Sequence, residues 1–417
     1  MDLTPGQPFN LGINYWPRRK AMFWWRDFDP AEVDDDFALI ASLGLKTVRL
    51  FLLWDDFQKS PDTVEEGCVA HLGAVCDLAA KHDLVLDVTF FTGHMSGPNW
   101  APGWLLGGKS PARRNGARKQ VVSGGQVTRL GYRNPYHDPA ALAAEKLLIQ
   151  TIVGRYHDHP AIWLWNLGNE PDLFDWPHSA AAGRDWVSAM TGLIHSLDAS
   201  HRVTIGLHVG SLLEDNHLRI DQVYGQTDLA VMHAYSMYMA PLSRRPLDPD
   251  VVPFTCALTA SLAGKPVLME EFGGCTAPPG QRSQTWRWRA YGHPRSQFMA
   301  SEEDYAEYLR ATLPRLVEVG AQGALVWCFA DYAEELWHRP PCDQSRHERF
   351  FGLVRPDGSL KPHAQVLKEF AASKPMIHAI PDYAHLPITP ARFYGRLLAP
   401  MLRLPGLYRR YLSQKSR

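Results

Sequence analysis

Short apolar, β-rich runs alternate along this chain with longer segments of helical periodicity. The apolar runs are residues 11–16, 46–53, 84–91, 161–167, 202–208, 229–235, 266–271 and 323–329. Helical patterns between them include residues 30–42, 65–82, 139–156, 180–197, 251–263 and 302–319. Continuous apolar runs are typical of strands buried on both faces, so eight of them alternating with helices predict a parallel sheet of the α/β class, closed into a (β/α)8 or TIM barrel.

Two of the predicted helices begin with the same pair of residues. Asp29-Pro30 and Asp138-Pro139 each place a capping aspartate before a proline at the first helical position. A doubly wound sheet is the alternative architecture, but it needs a glycine-rich turn after its first strand, and none follows Trp16. We therefore predict a single barrel domain at residues 1–375 and a C-terminal extension at residues 376–417.

Four segments that follow predicted strands are long. Loops of this length are uncommon unless they build a functional site, and the active residues of a barrel lie at the carboxyl ends of its strands. The sequence therefore predicts a walled pocket at that end, rather than an open groove. The loops are residues 16–29 with Trp24 and Trp25, the glycine-rich and basic residues 92–137, residues 272–300 with Trp286, Trp288 and Tyr291, and residues 330–360 with Trp337.

Composition sets only broad limits. A formal net charge of -1 with 21% charged residues is ordinary for a globular protein and gives no reason to expect a nucleic acid partner. The six cysteines include no CxxC pair, so we expect them to be reduced and buried. No basic region followed by an apolar core opens the sequence, and a cytoplasmic location is the default expectation.

Two of the apolar runs end in glutamate. Residues 161–167 lead into Asn169-Glu170-Pro171, and residues 266–271 end in Glu270-Glu271. Carboxylates at the carboxyl ends of two barrel strands meet at the same mouth. Double displacement at a glycosidic bond requires such a pair, one as proton donor and one as nucleophile.

Five motifs occupy related places on the predicted strands. They are Arg49 on the second strand, Gly168-Asn169-Glu170-Pro171 ending the fourth, His233-Ala234-Tyr235 on the sixth, Glu271-Phe272-Gly273 ending the seventh and Trp327 on the eighth. Together they resemble clan A glycoside hydrolases, and within that clan family 5, the cellulase and mannanase family. The resemblance extends from about residue 11 to about residue 370. It implies a retaining enzyme with Glu170 as acid/base, Glu271 as nucleophile, and neither cofactor nor metal.

The resemblance also implies a set of sugar-binding residues. Asn169 would bind the sugar 2-hydroxyl, and Trp327 would form the aromatic floor under the sugar unit that is cleaved. His94 and His233 would bind hydroxyl groups of the sugar. His208, at the end of the fifth strand, is expected to line the same pocket. The alternative for the histidines and for Trp327 is an ordinary place in the core.

Neighbouring side chains are expected to set the charges of the two glutamates. Burial beside Trp163 and Trp165 would disfavour the charged form of Glu170 and raise its pKa, as a proton donor needs. Glu271 must stay ionised to act as a nucleophile. A cation from Arg49 and the phenolic hydrogen of Tyr235 would favour that charge.

Glu270 directly precedes the predicted nucleophile. Because neighbouring strand residues point to opposite faces, only one of Glu270 and Glu271 is expected to face the barrel mouth. The family pattern places the nucleophile directly before the aromatic-glycine pair, which selects Glu271. Glu270 is then expected to face the helices in a salt bridge.

Two charged clusters have ordinary explanations. His157-Asp158-His159 has metal-binding residue types, but it ends a helix on the face opposite the predicted site, so cation placement at a helix C-terminus explains it better than a metal does. A basic set in the loop at residues 92–137 lacks interleaved aromatic residues, and we interpret it as a solvated lid rather than a polyanion site. That set is Lys109, Arg113, Arg114, Arg118 and Lys119.

The final residues, 391–417, hold seven Lys/Arg residues and no acid, with apolar residues between them. Such a segment can lie on an anionic membrane surface, pack across the outer helices or contact a second subunit of a homo-oligomer. Pro400 and Pro405 are expected to break any long amphipathic helix. Packing on protein is therefore favoured over a membrane.

Together these observations predict an exo-acting β-mannosidase that cleaves short oligosaccharides. The choice of mannose rests on similarity to bacterial β-mannosidases at residues 12–17, His347-Glu348-Arg349 and Phe351-Gly352-Leu353. The enzymatic alternatives are an endo-β-1,4-mannanase or cellulase, and a β-glucosidase. A non-enzymatic alternative is an inactive barrel that binds carbohydrate without cleaving it.

Overall fold

The computed structural model describes residues 2–107, 120–240, 242–396 and 399–416. Within these residues, eight parallel strands form one sheet in the order fifth, fourth, third, second, first, eighth, seventh and sixth along the chain. The strands are β1 (Asn10–Asn14), β2 (Thr47–Leu53), β3 (Val85–Thr92), β4 (Ile162–Asn169), β5 (Arg202–Gly206), β6 (Ala230–Ala234), β7 (Val267–Gly273) and β8 (Gly323–Trp327).

The two ends of this sheet, β5 and β6, meet and close it. His208 and His233 form a parallel bridge between them. The His233 N–H donates to the Leu207 carbonyl at 2.9 Å, and the Val209 N–H donates to the His233 carbonyl at 3.1 Å. The predicted (β/α)8 barrel is confirmed, and the closure places two predicted site histidines side by side.

Helices cover the outside of the barrel, one after each strand. They are α1 (Pro30–Ser42), α2 (Glu66–Lys81), α3 (Pro139–Tyr156), α4 (Ala180–Leu197), α5 (Ile220–Tyr224), α6 (Val251–Ala263), α7 (Glu302–Glu318) and α8 (Pro362–Ala372). Asp29 and Asp138 cap α1 and α3 as predicted, each accepting from two backbone N–H groups. Helix α5 has five residues, too few for its periodicity to stand out.

The loop at residues 272–300 contains an antiparallel hairpin, which the sequence analysis treated as irregular. Its strands are Gln284–Ala290 and His293–Met299, joined by Tyr291 and Gly292, both with positive φ. Positive φ at both central residues is typical of the two-residue type I′ turn, whose geometry matches the right-handed twist of the two strands that it joins. The alternation of Trp286 and Trp288 with exposed arginines was the available strand signal. A smaller sheet, Asn99–Trp100, Val121–Ser123 and Gln126–Thr128, lies in the loop after β3.

The C-terminal extension returns to the barrel and ends in a long helix, α9 (Ala399–Lys415). The expectation that proline breaks this segment was wrong, because Pro405 lies inside the helix on its exposed side. Buried Tyr408 and Tyr411 pack on Phe254 of α6, with ring centroids 5.0 and 5.7 Å away. The Tyr408 hydroxyl donates to Asp248 at 2.9 Å. None of the helices in the described residues is both long and apolar enough to span a membrane.

Candidate active site

Glu170 follows the last residue of β4 in a left-handed conformation, with φ 47° and ψ 52°. Its N–H donates to the Gly206 carbonyl of β5 at 2.9 Å, and Pro171 begins a short helix after it. Left-handed conformations cost a non-glycine residue about 1–3 kcal/mol and tend to occur at functional sites. The turn directs the Glu170 carboxyl group into the barrel mouth, where Oε1 lies 3.2 Å from Nδ1 of His233.

Both glutamates of β7 point into the barrel. The register of β7 shifts between Leu268 and Glu271 against β6, and between Met269 and Phe272 against β8. Such a bulge breaks the alternation of faces, so the expectation that Glu270 faces the helices was wrong. Its carboxylate accepts from Asn166 at 3.0 Å and lies 2.9 Å from Nε2 of His233. The Glu270 side chain is fully buried and lies beneath Glu271, deeper in the barrel.

Glu271 is surrounded by hydrogen-bond donors. Arg49 Nη1 donates to Oε2 at 3.0 Å, the Tyr235 hydroxyl donates to Oε1, and His233 Nδ1 lies 3.5 Å from Oε2. The guanidinium of Arg49 is fully buried and also donates to Asn14, Thr89 and Asn169. These contacts hold the Glu271 carboxyl group in one orientation.

The carboxyl groups of the fourth and seventh strands lie close together. One oxygen of Glu170, one oxygen of Glu271 and one ring nitrogen of His233 all lie within 4.8 Å of one another. These three residues also have donor types that can hold a metal ion. However, the buried guanidinium of Arg49 lies 3.0 Å from Glu271. Arg49 therefore already supplies the positive charge with which a metal ion would neutralise the Glu271 carboxylate.

The histidines around Glu170 set its charge, and the tryptophans expected to do so lie elsewhere. Trp165 Nε1 donates to Asp198 at 2.7 Å, on the helix side of β4. Burial acts to raise the pKa of Glu170, but His208 and His233 outweigh it and the pKa lies below its usual range. The expected rise was wrong because His208 and His233, which the sequence placed in the same pocket, lie close enough to Glu170 to favour its charged form.

The pKa of Glu271 shifts in the opposite direction. Burial raises it, and the negative charge of Glu170 adds to that effect, while His233 and Arg49 act against it. In the site without substrate, the pair therefore holds a proton more readily on Glu271 than on Glu170. This order is the reverse of the expected one, and two carboxyl groups this close titrate as a pair.

His233 connects both catalytic candidates to the layer below. Burial lowers the pKa of His233, but Glu271, Glu170 and Glu270 raise it to about 9. The ring is therefore protonated at neutral pH and both nitrogens donate. Beneath it lies buried Asp87, whose Oδ2 is 3.9 Å from Arg49 Nε. Burial and the charge of Glu270 raise the pKa of Asp87, whereas the charge of Arg49 acts to lower it.

The other predicted site residues also reach the mouth. Asn169 accepts from Arg49 Nη2 at 3.1 Å and donates to the His94 carbonyl at 3.0 Å. His208 is paired with Asp172, with Nε2 and Oδ2 2.9 Å apart. His94, Asn169, His208 and Trp327 all line the same cavity as the two glutamates.

This cavity has a volume of about 510 Å³, within the range of about 300–1,000 Å³ that is usual for small-molecule sites. Sequence reasoning anticipated aromatic residues in the loop after β7, and Trp288 and Tyr291 do line the cavity. The sequence singled out His347-Glu348-Arg349 only as a motif, and it did not predict that Glu348 and Gln344 line the cavity, because loop positions carry no strand signal. It also missed Gly206, where an added Cβ would lie 2.7 Å from Arg49 Nη2.

Several other predicted features lie outside the cavity. Trp24 and Trp25 are buried against each other, with ring centroids 4.0 Å apart. His157 and His159 contact Asp158 and Asp77, each at 3.2 Å. All six cysteines are buried and unpaired, as expected. The basic set of the proposed lid lies outside the described residues.

Sequence comparison places the chain among carbohydrate-cleaving enzymes. A family model described as glycosyl hydrolases family 2, TIM barrel domain, matches residues 116–374, more than half of the chain. Mannan endo-1,4-beta-mannosidase A of Hypocrea jecorina is 29% identical over 201 residues, 44% of this chain and 40% of that protein. Mannan endo-1,4-beta-mannosidase F of Aspergillus clavatus is 45% identical over 224 residues, 49% and 46% of the two chains. The chain thus spans less than half the length of these curated relatives.

Solved structures agree with the fold. A GH5_18 protein from Streptomyces cattleya in complex with Manb1-4GlcNAc has a TM-score of 0.75 at 19% identity, covering 98% of this chain and 92% of that one. An exo-beta-1,4-mannosidase from Opitutaceae bacterium strain TAV5 has a TM-score of 0.71 at 24% identity, covering 91% and 61%. At these identities the likeness establishes the barrel. The match to the model of glycosyl hydrolases family 2 extends across strands β4 to β8 and includes both glutamates. The chain therefore belongs to the glycoside hydrolase TIM-barrel family.

Proposed function

We propose that this protein is a retaining β-mannosidase that uses Glu170 as acid/base and Glu271 as nucleophile. The observation that carries the proposal is the pair of carboxyl oxygens within 4.8 Å at the barrel mouth. Retaining glycosidases hold their carboxyl groups about 5–5.5 Å apart, whereas inverting enzymes leave roughly 6.5–9.5 Å for a water molecule. A nearest oxygen–oxygen separation below 4.8 Å supports the shorter, retaining spacing.

In the first step, a Glu271 oxygen attacks the anomeric carbon while Glu170 gives its proton to the departing glycosidic oxygen. The bond to the leaving group breaks as the bond to Glu271 forms. In the second step, Glu170 takes a proton from water, which attacks the same carbon and releases Glu271. Attack at the anomeric carbon requires ionised Glu271, so the reactive form of the pair is the one in which Glu170 already carries the proton before the transition state.

A wall built from two loops supports attack at the end of a sugar chain. The hairpin of Gln284–Ala290 and His293–Met299, here called the hairpin wall, is bonded to the loop after β8. Trp288 Nε1 donates to the Gln344 carbonyl at 2.8 Å, and the Tyr291 N–H donates to the Gln344 side chain at 2.9 Å. The Tyr291 and Ser345 hydroxyl groups lie 2.9 Å apart. A cavity closed in this way suits a terminal sugar unit.

The choice of mannose and of the family 5 branch rests on the relatives. Curated proteins named mannan endo-1,4-beta-mannosidase and solved proteins named GH5_18 or exo-beta-1,4-mannosidase share the sequence or the fold. The order of Arg49, Asn169-Glu170, His233, Tyr235 and Glu271 around the mouth is the order that the family 5 resemblance requires.

An endo-β-mannanase is the second candidate, favoured by the names of the curated relatives. Two assays separate the candidates. Nitrophenyl β-glycosides of mannose, glucose, galactose and xylose identify the sugar unit that is cleaved, and NMR identifies the anomer first released. A β-mannosidase of the proposed kind releases β-mannose first and yields only monosaccharide early from manno-oligosaccharides. Mixed internal fragments at early times would support the endo candidate, and α-mannose as first product would exclude the retaining mechanism.

A further inference from the structure

A third carboxyl group, that of Glu348, lines the cavity that holds Glu170 and Glu271. It lies in a short 3-10 helix, Arg346–Phe350, on the loop after β8, and its side chain is 12% exposed. Ser96 and Trp327 lie close to this carboxyl group and act to lower its pKa. Glu348 has no role in the proposed two-step displacement, which uses only Glu170 and Glu271.

Among the described residues, Glu348 has no permanently charged partner within ion-pair distance. The basic side chain in contact with it is His347, whose Nε2 lies 3.4 Å from Oε1 of Glu348. Burial and the charge of Arg295 lower the pKa of His347 to about 4, so its ring is neutral at neutral pH. Burial, together with the charges of Glu271 and Glu170, raises the pKa of Glu348 to about 8. Below that pH the group is a neutral carboxyl, which both donates and accepts hydrogen bonds as a sugar hydroxyl does.

The position of Glu348 places this group at the closed side of the cavity. It follows Gln344 and Ser345, the residues to which the hairpin wall is bonded. His347 packs against Trp288 of that wall, with ring centroids 5.6 Å apart. Trp327, which lines the same cavity, is the predicted floor under the cleaved sugar unit. A hydroxyl group of that unit, pointing away from the leaving group, would meet Glu348.

We propose that Glu348 binds a hydroxyl group of the terminal sugar unit and thereby selects substrates whose chain ends at that unit. The inference rests on the proposed function, because it needs a terminal sugar between Trp327 and the two catalytic glutamates. A sugar substituted at the bound hydroxyl would leave the Glu348 carboxyl unpaired in a buried place. Sites built to hydrogen-bond a hydroxyl reject analogues lacking it for the same reason.

The test compares wild type, Glu348→Gln and Glu348→Ala on a nitrophenyl β-mannoside and on its 3-, 4- and 6-deoxy analogues. In wild type, removing the bound hydroxyl should lower kcat/KM by about 10- to 100-fold. Glu348→Ala should lower kcat/KM on the parent compound by a similar factor and show little further loss on that one analogue. Glu348→Gln, which keeps a donor and an acceptor, should recover part of the parent activity. Non-additive loss at one hydroxyl is the signature of direct contact.

Glu335→Ala is the matched control, since Glu335 is an exposed acid on the same loop and should behave as wild type on every analogue. Equal further losses on all analogues in Glu348→Ala would overturn the proposal. So would a loss that grows as the leaving group worsens, because that marks a proton donor. Wild type without turnover of any β-mannoside would instead reject the proposed function. Thermal unfolding of each variant checks that the fold persists.

Discussion

At the scale of single residues, the site consists of ionisable side chains at three depths in the barrel. Those at each depth contact and orient the side chains nearer the mouth. Asp87 and Glu270 lie lowest, Arg49 and His233 lie between, and the catalytic pair lies at the mouth. Arg49 Nη2 lies 3.4 Å from Glu270, and its Nη1 lies 3.0 Å from Glu271. Removing one member of such a buried network leaves its partner with an uncompensated charge.

The first prediction concerns Glu270→Gln. Glu270 is the buried partner of His233 and Asn166, so we expect this variant to lose roughly 3–5 kcal/mol of unfolding free energy, measured by chemical denaturation. Turnover should also fall, because His233 loses the carboxylate that orients it. Glu318→Gln, on the surface of α7, is the control. A variant as stable and as active as wild type would show that the lower layer has no positioning role.

The second prediction concerns pH and stability. The pKa of His233 is about 9 in the folded protein, above the value of about 6.5 for a free histidine. The stabilisation from its charge is therefore fully present below about pH 6.5 and is lost as pH rises through 9. Wild type and His233→Asn should differ most in unfolding free energy near pH 6 and least above pH 9. A difference that grew with pH would contradict the assigned charge.

At the scale of elements, loops and extensions added to the barrel determine what reaches the site. The hairpin wall closes one side of the cavity, and α9 covers α6 on the outside. Both elements differ from the expectation drawn from their sequences. In the hairpin, partly buried and exposed residues alternate with a period of two, within a segment whose other residues predict a loop. In α9, Pro405 is tolerated because tertiary contacts of Tyr408 and Tyr411 hold the helix.

The third prediction is that the hairpin wall makes the enzyme exo-acting. Replacing residues 284–299 by a short Gly-Ser turn should open the cavity, lower kcat/KM on nitrophenyl β-mannoside by about 10-fold or more, and permit cleavage inside manno-oligosaccharides. Product chromatography measures the change. Arg287→Ala, on the exposed face of the hairpin, should keep the wild-type products. If the deletion still released only monosaccharide, the wall would not set the mode of cleavage.

The fourth prediction concerns the C-terminal helix. Ending the chain at residue 396 should expose Phe254 and Asp248 and lower the melting temperature by roughly 5 °C. Leu402→Ser, at a position 78% exposed, should leave the melting temperature unchanged. The full chain should not cosediment with anionic vesicles at moderate salt. Binding that disappeared on truncation would show that α9 contacts lipid instead.

At the scale of the whole molecule, the barrel and the place of its site were predictable because both follow from period and order. Apolar runs of strand length and capped helices define a (β/α)8 barrel, and strand ends define its mouth. The bulge of β7 was not predictable, since nothing in Leu268 to Phe272 marks a break in the alternation. Nor were the charges of Glu170 and Glu271, which depend on His208 and His233 from other strands.

The assignment of Glu271 as nucleophile is the claim on which the rest depends. A 2-deoxy-2-fluoro mannoside with a good leaving group should form a covalent adduct, because the fluorine slows both steps whereas the good leaving group restores the rate of the first alone. Mass spectrometry with fragment mapping locates the adduct, and Glu271→Ala is the control that should form none. We predict one sugar on Glu271. An adduct on Glu270, or turnover without any adduct and with inversion, would contradict the account.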